Sequence, residues 1–131
     1  MRTLCLICSL TLLTACMHAQ PQYTYADGSA NHYVITDSSL QYIPVKPEES
    51  STGMYSGGDP ADVKLTKEQF ESLKQLLEEA ISATGNHIAD RIKMSGAVTR
   101  ITASDTVTII LKPGAPEQDA LESALKQLLK K

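Results

Sequence analysis

Residues 106–129 read TVTIILKPGAPEQDALESALKQLL, and the change of period partway through them decides the fold class. Thr106 to Lys112 begins with a run of β-branched and aliphatic residues, the composition that fits a pleated, half-buried surface. Lys112-Pro113-Gly114 interrupts it. From Pro116 onward the apolar residues fall at three- and four-residue steps: Leu121, Ala124, Leu125, Leu128 and Leu129. That spacing lays one stripe along a helix. Proline is pre-organised for the first helical position, and Glu117 and Asp119 suit the positive end of the helix dipole. Lys130 and Lys131 suit the negative end, and Glu122 and Lys126 are spaced as a favourable pair. A strand leading within a few residues into an amphipathic helix predicts a sheet with helices laid on it.

Upstream, Ala97–Thr102 reads as a second strand, joined to the first through Ala103-Ser104-Asp105. Gly96 marks a bulge or a bend. Ile88, Asp90, Ile92 and Met94 alternate with Ala89, Arg91 and Lys93, although a helical turn over 86–90 fits as well. Before them lies another helix: Phe70, Leu73, Leu76, Leu77, Ala80 and Ile81 form its stripe. Thr66 and Gln69 have the spacing of a capping box. Gly85 suits a left-handed residue past the end, and Lys74 with Glu78 suits a solvated outer face.

Tyr33–Thr36 and Leu40–Val45, separated by Asp37-Ser38-Ser39, read as a hairpin whose second strand is an edge at Pro44. The order is then hairpin, loop, helix, strands, helix. Neither helix can bury its stripe alone. The expectation is one α+β domain over 32–131, a small antiparallel sheet with two amphipathic helices packed on one face. Ile43-Pro44-Val45-Lys46-Pro47 and Ile109-Ile110-Leu111-Lys112-Pro113 share a local grammar. A duplicated ββα unit would explain it, and so would generic strand–proline punctuation.

Residues 46–63, KPEESSTGMYSGGDPADV, form a long loop rich in Gly, Pro and Ser. Such loops are flexible spacers or carry function. Tyr55, Ser56, Gly57, Gly58 and Asp59 are the candidate binding residues within it. The hydrolase elbow Gly-x-Ser-x-Gly fails at Ser56, because Gly53 lies one residue too early. No Gly-Lys-Ser/Thr ends the loop, which removes the phosphate-loop reading. Asp59 and Asp62 could share a calcium ion with loop carbonyls, but the EF-hand pattern is missing. His18, His32 and His87 show no local metal-ligand spacing. Neither a catalytic residue, a metal nor a cofactor is expected. All five tyrosines, Tyr23, Tyr25, Tyr33, Tyr42 and Tyr55, precede residue 56, and stiff amphipathic rings suit recognition surfaces. Tyr33 and Tyr42 also fit as half-buried sheet residues.

Residues 17–31, MHAQPQYTYADGSAN, are read as a flexible tether. As a coil it would span about 20 Å root-mean-square and about 50 Å when stretched.

At the start of the chain, Arg2 precedes ten apolar residues, LCLICSLTLL at 4–13, and then Leu13-Thr14-Ala15-Cys16. The apolar run is too short to span a bilayer and has the layout of a secretory signal. Leu13, Thr14, Ala15 and Cys16 resemble the lipobox of bacterial lipoproteins. The resemblance covers only these first sixteen residues. It implies cleavage after residue 15, diacylglycerol on the Cys16 sulfur and acylation of its new amino group. Met17 stands where lipoproteins retained in the inner membrane tend to have Asp, so the expectation is an outer-membrane anchor with the domain in the periplasm. Cys5 and Cys8 lie in the removed segment, leaving Cys16 as the last of the three cysteines and no intrachain disulfide.

Arg2 is the only charged residue in 1–15, so residues 16–131 keep 11 of the 12 basic residues against all 15 acidic ones. A mildly acidic domain argues against nucleic acid and against electrostatic adhesion to anionic lipid. The expected function is a lipid-anchored, non-enzymatic binding or accessory module with an envelope protein partner. A structural subunit of an envelope complex is the alternative. A small hydrolase using Ser56 or an Asp pair is a third class.

Overall fold

The computed structural model describes residues 19–130; residues 1–15, read above as a signal segment, Cys16 and His18 lie outside them. Six strands and two helices follow one another: β1 (Gln22–Ala26), β2 (His32–Ile35), β3 (Ser39–Ile43), β4 (Ala61–Lys64), α1 (Lys67–Ser82), β5 (Gly96–Ile101), β6 (Thr106–Leu111) and α2 (Pro116–Leu129). The strands form one antiparallel sheet in the order β4-β3-β2-β1-β5-β6. Both helices pack on the same face, as an α+β reading of the sequence requires.

The largest departure from expectation is β1. The stretch read as tether contains a strand in the middle of the sheet, with β2 on one side and β5 on the other. Tyr23 and Tyr25 point inward and are fully buried, while Thr24 between them faces the open side. The domain therefore takes in Gln22–Ala26 as well as the residues from His32 onward. Aromatic residues at alternate positions make a strand profitable only when a core waits on one face. That core is supplied by residues far along the chain.

The expected hairpin is β2 and β3. Its second strand is internal, because it ends at Ile43, one residue before Pro44, and pairs on its far side with β4. The true edge strand, β4, takes up Ala61, Asp62 and Val63 from the end of the long loop. Four strands precede α1 and two precede α2, so the shared Lys-Pro grammar belongs to unequal halves. The alternating stretch after Gly85 is neither strand nor helix. His87 makes a single bridge to Leu111, and Ile88 N–H donates to Ile110 O (2.9 Å), covering the end of the β6 edge. Gly85 lies in a 3₁₀ turn, Thr84–Asn86, and not in the left-handed region; Gly114, before α2, is the glycine with φ of 75°.

The Thr66 cap forms as the spacing predicts: its hydroxyl accepts from Gln69 N–H, and the Gln69 side chain accepts from Thr66 N–H. Phe70, Leu73, Leu77 and Ala80 of α1 meet Leu121 and Leu125 of α2 over Tyr23, Tyr25, Ile35, Leu40, Val98 and Leu111 of the sheet. Burying each large apolar side chain there contributes about 1.5–3 kcal/mol. Glu78 is not part of a solvated face with Lys74. It accepts from Tyr23 OH (2.5 Å) and pairs with Arg100 (2.7 Å), fastening α1 to β1 and β5, while Lys74 Nζ donates to Gln20 (3.1 Å).

Candidate functional site

The β1–β2 turn, Asp27-Gly28-Ser29-Ala30-Asn31, organises one end of the sheet. Asp27 is buried and its carboxylate takes four donors: Ser29 N–H (2.9 Å) and Asn31 N–H (3.0 Å) on Oδ1, Asn31 Nδ2 (2.9 Å) and Tyr33 OH (3.3 Å) on Oδ2. Ala30 is held at φ of 67° inside this turn, a conformation that costs about 1–2 kcal/mol for a non-glycine residue. The side chain of Arg91 donates to the backbone oxygens of Asp27 (2.8 Å) and Ser95 (3.4 Å), tying the turn to the 86–95 segment.

Asn31 carries the order outward to the long loop. Its Nδ2 also donates to Tyr55 OH (3.0 Å), and its Oδ1 accepts from Val45 N–H (3.0 Å). Gly57 N–H donates to Val45 O (2.9 Å), and Tyr42 OH donates to Gly57 O (2.7 Å). A Cβ on Gly57 would lie 2.1 Å from Asn31 Oδ1 and 2.8 Å from Pro44 Cβ, so only glycine lets the loop lie this close.

Of the five loop residues expected to bind, the structure brings Tyr55 and Gly57 to the turn. Ser56, Gly58 and Asp59 are not drawn in: Ser56 Oγ accepts from Gly58 N–H (3.2 Å), Gly58 sits at φ of 91°, and Asp59 is exposed. Asp62 is in β4, paired in register with Gln41. Among the described residues no three His, Cys, Asp or Glu side chains converge as metal ligands. His87 Nε2 is 2.8 Å from Ala80 O.

Beneath the turn, α2 completes the site. Glu122 Oε1 accepts from Tyr25 OH (2.8 Å), Gln118 Nε2 (3.1 Å) and Gly28 N–H (3.4 Å). The spacing with Lys126 predicts a pair that does not appear among the ion pairs of the described residues, because Glu122 turns toward the sheet. Gly96 opens β5 with no bulge in its pairing to β6; its missing side chain leaves room for Tyr25, whose hydroxyl would be 2.8 Å from a Cβ there. Rings of Tyr25, Tyr33 and Tyr42 follow one another across the sheet, with centroids 5.9 and 5.0 Å apart. The result is a cleft of about 370 Å³, lined by Asp27, Asn31, Tyr33, Tyr42, Tyr55 and Glu122 among others. A wider groove of about 740 Å³ adjoins it across Gly28, Ser29, Tyr55 and Met94.

Four hydroxyls, those of Tyr23, Tyr25, Tyr33 and Tyr42, are biased toward the neutral form. Burial raises the phenols of Tyr23, Tyr25 and Tyr33 well above their usual range, and the adjacent carboxylates of Glu78, Glu122 and Asp27 respectively push the same way. Burial raises Tyr42 as well, with a further push from Asp27. The fold thus favours the protonated phenols. Their stabilising contribution is complete below the ordinary phenol value of 10.0 and is lost as pH climbs toward the raised native values. The unfolding free energy from urea denaturation is expected to fall above about pH 10, by up to about 1.4 kcal/mol per pH unit for each tyrosine still protonated only in the native state, and the midpoint with it. Denaturation series across the alkaline range, with phenolate absorbance followed in parallel, test this; a midpoint independent of pH there contradicts it.

Sequence reasoning missed Asp27, Asn31, Arg91, Gln118 and Glu122 as site residues. The usable signal was Tyr-x-Tyr-Ala-Asp-Gly at 23–28, alternation running into the dipeptide that favours tight hairpins. Compared with known proteins, the chain matches no family model, no curated protein sequence and no solved structure.

Proposed function

We propose that this chain is a lipid-anchored, non-enzymatic envelope binding module that recognises its partner at the tyrosine-lined cleft. The lipobox resemblance at 13–16 supports the anchor, and one observation supports the cleft: the Asp27–Asn31 network holds Tyr55 directly, and Tyr42 through Val45 and Gly57, on a single concavity. The start of β1 at Gln22 changes what an anchor at Cys16 would do. Only residues 17–21 intervene, a leash of at most about 20 Å. The Gln22 end of β1 is then held near the bilayer. The cleft lies past Ala26, about 13 Å further along the strand, at the end presented away from the lipid.

The Cys16→Ala variant is expected to leave the domain folded and to release it from washed membranes. Retention in the membrane fraction would overturn the anchor. A photo-crosslinking residue at Met54, exposed beside the groove, is expected to capture an envelope protein in cells, whereas one at Ser104, at the opposite end of the sheet, is not. The assembly-subunit reading draws on the uncovered sheet face, where Ile43 and Ile101 are exposed. Capture from that face and none from Met54 would favour it.

A further inference from the structure

We propose that the cleft takes a primary ammonium group, with Glu122 Oε2 as its counter-ion. This deepens the binding-module reading and rests on the cleft being its recognition site.

The charged residues of the lining are Asp27, Glu122 and Lys126, which sum to a negative site. Asp27 supplies field but no open position, since its two oxygens already take four donors. Glu122 differs. Its Oε1 holds Tyr25, Gln118 and Gly28, while Oε2 has no hydrogen-bond or ion-pair partner among the described residues. Beside it, Gln118 is 5% exposed and its amide orientation is set by Nε2, which donates to Met94 O (3.0 Å) and Glu122 Oε1 (3.1 Å). Flipping the amide would set an oxygen against both of those acceptors. The Gln118 Oε1 is therefore left buried and without a partner among the described residues. Buried acceptors are normally satisfied. The lining thus includes a carboxylate oxygen and a buried amide oxygen, each without a partner among the described residues, and both are acceptors that a donor would complete.

An ammonium carries three N–H donors and no acceptor, and its charge matches the sign of the lining. Tyr33, Tyr42 and Tyr55 line the same cleft, and aromatic faces attract cations. An anion would meet two carboxylates. The volume of about 370 Å³ admits an aminoalkyl group or one small amine, not a strand or helix. Met94, whose carbonyl orients Gln118, is the second non-glycine residue held in the left-handed region, at φ of 68°. Such conformations gather at ligand sites.

The chain has five tyrosines and no tryptophan, so tyrosine emission reports on this cleft without an indole background. Full-length protein in detergent micelles is titrated with n-pentylamine, with Nα-acetyl-lysine amide and with neutral n-pentanol. Both amines are expected to saturate, and pentanol to bind at least about tenfold more weakly, the loss of one charge-assisted contact. Tighter binding of the lysine amide would identify a partner's side chain as the source; tighter binding of pentylamine would identify a free amine. Either ordering supports the ammonium. Glu122→Gln is expected to weaken the amines by at least about tenfold. Because that variant also touches Tyr25, Lys126→Met serves as the second: it leaves the network intact and is expected to tighten amine binding. Equal binding of pentanol and amine, no saturation by either amine, or unchanged amine affinity in both variants overturns the inference. If crosslinks at Met54 persist in that case, the binding-module reading stands without it.

Discussion

Tyr25→Ala is expected to cost about 3–5 kcal/mol, the usual range for truncating a buried aromatic residue. The ring is fully buried between β2 and β5, and its hydroxyl holds Glu122. Truncation opens a cavity against Tyr33 and Val98 and removes a donor from a carboxylate that has turned away from solvent to meet it. Set against a typical domain stability of about 5–15 kcal/mol, that loss leaves the native state barely populated or unfolded. Tyr25→Phe keeps the packing and loses only the hydrogen bond to a charged acceptor, about 1.5–3 kcal/mol. Urea denaturation followed by circular dichroism measures both. The experiment separates the two readings of residues 17–31, because an alanine in a tether would change stability by a few tenths of a kcal/mol at most. A loss below about 1 kcal/mol for the alanine variant would mean that β1 is not the central strand.

Asp27→Ala comes next, with an expected loss of about 3–4 kcal/mol. Four donors converge on that carboxylate, and three of them, the backbone and side-chain N–H groups of Asn31 and the Tyr33 hydroxyl, are buried. A buried donor left without its acceptor loses more than the bond contributed, since water cannot reach it. The damage should also spread in a defined direction. Asn31 positions Val45 and Tyr55, and through Val45 it positions Gly57. Amide exchange in residues 44–58 is expected to accelerate well beyond the global change, while α1 and α2 follow global unfolding. Asp27→Asn should fall between wild type and alanine, because its amide keeps one acceptor but points an NH₂ at the NH₂ of Asn31. Uniform exchange across the domain in the alanine variant would show that the turn does not organise the loop.

Local patterning determined most of the secondary structure. The two helices, the Thr66 cap, the 33–45 hairpin and the β5–β6 pair follow from periods of 3.6 and 2 and from turn chemistry, all of which act over a few neighbouring residues. The fold class followed as well, since two apolar stripes demand a sheet to cover. The candidate loop was legible as a loop; Tyr55 within it lines the cleft, and Gly57 packs against Asn31 and Pro44 behind it. Tertiary structure alone decided the place of β1 and the composition of the site. Tyr23-Thr24-Tyr25-Ala26 is ambiguous as a string, because a strand that short gains nothing until β2, β5 and both helices surround it. The same holds for Glu122, which local spacing assigns to Lys126 but which bonds Tyr25, 97 residues away in the chain. Pairing over such separations is invisible to any local window. It is set by which buried group lacks a partner once the core has closed, and that condition exists only in three dimensions.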